Sequence, residues 1–529
     1  MGNVRIGFVR ALALCLAAAP VGADIQLGKV SFSGDNRLGF YDNEVTGPGA
    51  GSSFLTRHGN FDDQLSLNAD WAERDGSRWS SQFQGRATND PRSDVRNLSM
   101  QRFSLDRFNA GRHVGAGDFY ASFTQYTLNQ SLKGLRWEEE NLGGLQLSLV
   151  GGIAKNRWDD LWTRNVSESV DRYVAGMRAR RSLPLGSELG FSAVVTRDHR
   201  TAGSGADQVG QNLVGVSWAL PSDADLAISG ESAFSRASVD HQGASGEVDW
   251  GSAHKVSARS RFLRWRTWDD FENVAPNFNT TMGAATQDFR RVQTRQELRL
   301  NDSLVLLGNY SWYRNNLAGQ LSDTARTSSP EGGVRWVAPF NRASLNLEGK
   351  LRYRETKHSS ASVAAFRSVS EVFSASDRIG SLGADLQYER RNEERAGSAK
   401  DVRNIVGGGL AGFWRWRESV LRPYVRYNID LDKDQIANGT NQVTEGVAGL
   451  AADITPAIYA SFNYTLNRIY NFNTDGMKRD NVNALLGYNV PWLKGDRVEV
   501  GYRNNFYGFA TASKNYREKI VETSYVHKL

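Results

Sequence analysis

Arginines set one residue apart are the chemistry this chain offers most often: Arg178 and Arg180, Arg352 and Arg354, Arg415 and Arg417. In a β-strand, side chains two apart share a face, so each pair doubles the charge on one side. Together with Arg259, Arg261, Arg422, Arg426 and Arg503 they form a set of candidate cations for one wall of a sheet. A guanidinium stays charged and grips carboxylate or phosphate through two parallel hydrogen bonds. Rings of such charges along a pore select ions of opposite sign. Glu348, Asp430 and Glu499 fall on the same faces. Salt bridges that stiffen a wall are therefore an equally good use of these arginines.

Catalytic chemistry has no comparable support. The seven histidines, His58, His113, His199, His241, His254, His358 and His527, include no His-x-x-x-His pair of the kind that holds a metal. No Gly-x-Ser-x-Gly falls in a strand-to-helix context. The acid pairs Asp159-Asp160 and Asp269-Asp270 stand beside Trp158 and Trp268, where they could take calcium or a sugar, or simply be solvated loop residues. The sole cysteine, Cys15, lies in the N-terminal segment, which leaves the rest of the chain without disulfide, thiolate metal site or Cys-x-x-Cys-His haem attachment. Neither an enzymatic activity nor a cofactor is expected.

The elements that must position the arginines are strands. Leu345, Leu347, Gly349, Leu351 and Tyr353 oppose Asn346, Glu348, Lys350, Arg352 and Arg354, an oily face against an ionic one. The same alternation runs through Leu65–Trp71, Leu145–Leu149, Leu421–Asp430 and Ala460–Asn467. Pro423 falls on the oily face, a position tolerated only near a strand start or a bulge. Turn signals recur about every 32 to 43 residues, at Asp75-Gly76, Asn109–Gly111, Asn141–Gly144, Pro184–Ser187, Pro221–Asp225, Asn301-Asp302, Pro339–Arg342, Arg417–Ser419, Thr455-Pro456 and Trp492–Asp496. Two double-length gaps should each hide a further turn, near Asp269 and near Ser376. Longer polar connections alternate with these turns: Tyr41–Asn60, Asn156–Ser169, Arg200–Gln208, Arg236–Gly251, Asn315–Pro330, Asn392–Asp401, Asp432–Asn441 and Asn471–Asp480.

A dozen short turns predict thirteen hairpins. The expected fold is all-β: one large antiparallel transmembrane barrel of about 22–26 strands, each about 9–13 residues, with short periplasmic turns and long extracellular loops. Mean hydropathy is −0.50, and no segment beyond the N-terminus has the length and apolarity of a spanning helix. A membrane barrel tolerates that polarity because half of every strand faces water. Sandwich strands are shorter than these, and a propeller would repeat four strands per blade rather than two. Aromatic pairs such as Trp414 and Trp416 sit near strand ends, as interfacial girdles require.

The first 23 residues read as a secretory signal, with Arg5 and Arg10 before the apolar run Ala11–Ala19 and a small-residue site at Val21-Gly22-Ala23. Residues 24–529 are then one barrel. The formal net charge is +6, and only 13 of the 64 basic residues are lysine. The arginines are spread rather than gathered in runs, so nucleic acid is not an expected partner. One local string stands out, Gly115-Ala116-Gly117-Asp118-Phe119-Tyr120 followed by Leu132-Lys133-Gly134-Leu135. Its glycines would permit a bulge or an inward fold, against the simpler reading of a glycine-weakened strand.

Taken whole, the chain resembles Gram-negative outer-membrane β-barrel proteins of the porin type. The resemblance is architectural, and the terminal Leu529 departs from the aromatic that ends many such barrels. It implies residence in the outer membrane, contact with its lipid and lipopolysaccharide, and recognition by outer-membrane assembly machinery. It also implies a channel for hydrophilic solutes, anions among them. At about 26 strands the chain is similar, too, to the large barrels that sheathe multihaem cytochromes. That likeness implies the alternative of a scaffold around a periplasmic or lumenal cytochrome.

Overall fold

The computed structural model describes residues 25–27, 30–56, 58–162, 170–201, 204–220, 225–241, 246, 248–396, 399–472, 474–493 and 495–528. The signal-peptide reading of residues 1–23, Cys15 within it, residues 221–224 of one expected turn and the terminal Leu529 lie outside them.

Twenty-six antiparallel strands run in chain order from Val30–Thr46 to Tyr516–Lys528, each paired with the next. The last pairs with the first from Asp35↔Lys528 to Thr46↔Arg517, which closes the ladder and leaves no sheet edge there. Strands spaced about 4.8 Å apart and tilted about 40° would close a circular ring of 26 at roughly 50 Å across the backbone.

Register carries the alternation round the whole ring. Along Ser419–Asp434, Leu421, Val425 and Tyr427 lie on one face and are exposed, while Arg422, Arg426, Asn428 and Asp430 lie on the other. The polar face is the inner one, because the connection 275–288 packs on it: Phe278 and Met282 are buried there against inward positions of the wall. The outward face keeps its apolar side chains uncovered, as a bilayer-facing surface does.

Ten of the expected turns fall between strands as read, one of them only in part among the described residues. The other two are displaced. The chain turns at residues 263–264 rather than near Asp269, and at residues 380–381 rather than near Ser376. Leu263 (φ 53°) and Gly380 (φ 60°) supply the left-handed backbone that a tight hairpin needs. Connections at the opposite end are shorter than their polar composition suggests. Strands continue to Arg395, Asp434 and Asn471 and resume at Ala399, Gly439 and Thr474. Strand lengths reach 17 residues, so the polar ends of strands stand clear of the apolar belt. Pro423 lies opposite Gly412 by register, next to the break at Phe413 that divides the strand Ala399–Gly412 from its continuation Trp414–Trp416.

One hairpin leaves the wall. The ladder between Leu98–Asn109 and Arg112–Thr124 stops at Ser104↔Gly117, and that between Leu128–Leu142 and Leu145–Ile153 stops at Lys133↔Ile153. Residues 118–133 remain paired with each other but bend into the lumen. The glycine-rich string is therefore an inward fold, not a weakened strand.

Candidate functional site

The bend is built on glycine. Gly117 has φ +109°, and a Cβ there would stand 2.3 Å from the Phe103 carbonyl oxygen. At Gly134 it would stand 2.0 Å from the Gly151 carbonyl oxygen. Beyond the bend, Phe119, Ala121, Phe123, Leu128 and Leu132 pack on inward-facing Val150, Val174, Val194, Leu213 and Ala233. The hairpin thus lies along the inner wall, and its removal from water supplies the apolar core that an ordinary lumen lacks.

Its tip is fixed by charge. The backbone N–H groups of Gln125 and Tyr126 donate to the Glu231 carboxylate at 3.1 and 2.9 Å. The Tyr126 hydroxyl donates to Glu272 at 2.8 Å, and Glu272 is also held by Arg291 at 2.6 Å. Burial, followed by the neighbouring Glu272 carboxylate, pushes the Tyr126 phenol well above its ordinary range, so it stays a donor. Lys255 donates to the Gln125 side chain at 2.9 Å. From above, the 275–288 connection clamps the tip: the Ala284 N–H donates to the Gln125 carbonyl at 2.7 Å, and the Asn129 N–H to the Met282 carbonyl at 2.8 Å. Thr281 is anchored to Gln211 at 2.9 Å.

The wall opening left by the hairpin is closed by two connections. The Phe103 N–H donates to Asp118 at 2.7 Å and the Met100 N–H to Asp159 at 3.2 Å, which satisfies the unpaired strand edge. Arg96 bridges to Asp160 at 3.0 Å, Arg157 pairs with Asp94, and Lys133 pairs with Asp118 beneath the Trp158 ring. Asp159-Asp160 is thus a structural clamp. Asp270 donates no ligand set either: it faces the lumen and accepts from the Ser257 hydroxyl at 2.5 Å, while Asp269 lies on the outer face. Among the described residues no group of three metal-ligating side chains converges.

Asp94 makes the clamp acid-sensitive. Burial opposes its ionisation, but hydrogen bonds from the Ser99 hydroxyl, the Arg96 amide and Arg157 outweigh it and hold the carboxyl below its ordinary value. A lowered folded value stabilises above the unfolded value of about 3.9 and is lost as pH falls through the folded one. Asp94→Asn should reproduce that loss at neutral pH, at a local cost of about 1–3 kcal/mol. Faster proteolysis within residues 89–97 and 154–162 of the folded barrel is the expected result. Unchanged protection would refute the clamp.

Register places Arg178, Arg180, Arg259, Arg261, Arg352, Arg354, Arg415, Arg422, Arg426 and Arg503 on the inner face. Arg417 is not on the wall. It occupies a turn at φ 56°, with its guanidinium 5.6 Å from the Trp416 ring centre. Several of the wall arginines are bonded within the wall: Arg180 to Glu188 at 3.3 Å, Arg352 to Glu331 at 2.6 Å, Arg422 to Asp453, and Arg503 to Asn483 at 3.1 Å. Arg354 lies over the Phe366 ring. Arg259, Arg261, Arg415 and Arg426 have no ion-pair partner among the described residues. The hairpin's anchors Glu231, Glu272 and Lys255 escape a sequence reading because nothing about three wall residues on separate strands marks them as a set.

No protein-family model matches the chain, and no curated protein matches it. Solved structures do. The translocation pore of the P pilus usher PapC covers 94% of this chain and 100% of its own, at 11% identity and a TM-score of 0.42. OccD1 (OprD) covers 64% of this chain and 92% of its own, at 10% identity and 0.31. The siderophore receptor PirA from Pseudomonas aeruginosa covers 94% and 80%, at 9% identity and 0.39. The chain's own closed ladder, apolar outer face and charged inner face are the architecture of an outer-membrane β-barrel.

Proposed function

We propose that the barrel is a porin-like channel for hydrophilic solutes, with anions preferred, and that the inward hairpin narrows it. One observation carries this reading: the inner face is charged and polar outside the arc, from Leu145–Ile153 to Phe289–Arg299, that the hairpin and the 275–288 connection cover. Unpaired Arg259, Arg261, Arg415 and Arg426 support anion preference. The wall carboxylates that pair with many other arginines keep that preference modest and salt-dependent. Purified protein in planar bilayers should give stepwise conductance with an anion-to-cation permeability ratio above one that falls as salt rises. Absence of steps would overturn the channel.

The width of the uncovered arc favours one second reading, a sleeve around a partner protein such as a multihaem cytochrome. Affinity purification from native outer membranes, followed by haem staining, tests it, and recovery of the barrel alone would count against it. Export by the N-terminal signal and assembly into the outer membrane belong to both readings.

A further inference from the structure

Beneath the hairpin tip lies a chamber of about 310 Å³, closed on one side by Phe123–Gln125 and on the other by the inner wall. That volume is at the lower end of small-molecule sites. Three cations line it, Arg178, Arg180 and Lys255, against two carboxylates, Glu188 and Glu231. The carboxylates are committed. Glu188 is held by Arg180 at 3.3 Å, and both oxygens of Glu231 receive the backbone N–H groups of the tip. Arg180 is spent on Glu188 and on Gln146, but Arg178 and Lys255 keep donors in reserve. Arg178 makes one long hydrogen bond, to the Ser122 carbonyl at 3.4 Å, and its Nε is buried without a hydrogen-bond partner among the described residues. A guanidinium has five donors, and leaving one buried and unmatched is costly. Lys255 spends one of its three donors on Gln125.

We propose that this chamber binds a small oxyanion, a carboxylate- or phosphate-bearing solute, with Arg178 as its principal contact and Lys255 as the second. One terminal nitrogen of Arg178 carries no hydrogen bond among the described residues, and its donors are the ones such a group would take. The Ser217, Ser229 and Ser257 side chains add hydroxyls to the same lining. Because Lys255 also holds the hairpin tip, an anion on its two remaining donors links the tip to the wall and ties occupancy to the position of the constriction. This site refines the channel reading, since the solute reaches the chamber through the lumen.

The test is isothermal titration calorimetry of the full purified barrel in detergent, with succinate and with inorganic phosphate as separate probes. At least one should bind saturably, and which one does identifies the head group. Arg178→Gln should weaken binding about tenfold or more, the loss expected when a charge-assisted contact is removed. Arg178→Lys, which keeps the charge but loses the guanidinium donors, should weaken it less, and it stands in if the glutamine variant fails to show the heat-dependent gel shift of a folded barrel. Arg354→Gln, on a distant strand, should bind as the wild type does. Saturable binding of neither probe, or an equal loss in Arg354→Gln, would overturn the site. Calorimetry needs no current, so a barrel that binds but does not conduct fails only as a channel, and one that conducts but binds neither probe fails only here.

Discussion

Replacing residues 118–133 with an Asn-Gly turn between Gly117 and Gly134 is expected to raise the single-channel conductance several-fold. Gly117 and Gly134 are register partners, so a two-residue turn can join them without disturbing the strands below. The segment removed runs about 25 Å along the inner wall, at about 3.3 Å per residue, and with the 275–288 connection it adds a layer about 10 Å thick to that side of the lumen. With it go the contacts that hold the 275–288 connection: the Asn129 and Ala284 hydrogen bonds and the packing of Phe278 against Tyr126, whose rings lie 5.9 Å apart. Phe278 and Met282 would lose their cover, and the connection should become open to protease. Conductance is the decisive readout. A folded variant with wild-type conductance would show that the hairpin does not narrow the path.

How far the sequence foretold this arrangement depends on which residue is asked. Period-two alternation marks the wall because each face meets a different solvent, and turns built on Gly, Pro, Asn or Asp are visible because those residues are chosen for backbone reasons. The turn at Leu263-Arg264 carries no such residue. The acidic pair Asp269-Asp270 beyond it looks more turn-like yet lies within the strand Trp265–Val274. The inward bend is announced by Gly115, Gly117 and Gly134. Its destination has a fainter signal: Val194 with Val195, and Leu213 with Val214, place apolar side chains on both faces of one strand. In a barrel with a wet lumen, that pattern means something packs on the inside. Alternation alone assigns such residues to the wrong face or discounts them. The Glu231–Gln125–Lys255 contacts join residues more than 100 apart in sequence, and only the closed ring brings them together.

The glycines at the bend should be among the least replaceable residues of the chain. Gly117→Val places a β-branched residue at φ +109°, a conformation that side chains rarely adopt, and drives its Cβ to 2.3 Å from the Phe103 carbonyl oxygen and 2.9 Å from the Ser104 Cα. Backbone strain of this kind costs about 1–3 kcal/mol, and the clash adds to it. Both contacts are backbone atoms of a strand locked in the ladder, so relief by local movement would break Ser104↔Gly117, the last pair before the wall opens. Gly134→Ala meets the Gly151 carbonyl oxygen at 2.0 Å in the same way from the other strand. Each variant should lose most of the heat-shifted folded band in detergent gels. Gly349→Ala, where no atom lies within 4 Å of the new methyl group, should keep it. If the bend variants fold and conduct like the wild type, the hairpin does not enter the lumen through these glycines. If they fold but conduct like the shortened hairpin, the bend controls docking rather than assembly, and the constriction depends on two residues without side chains.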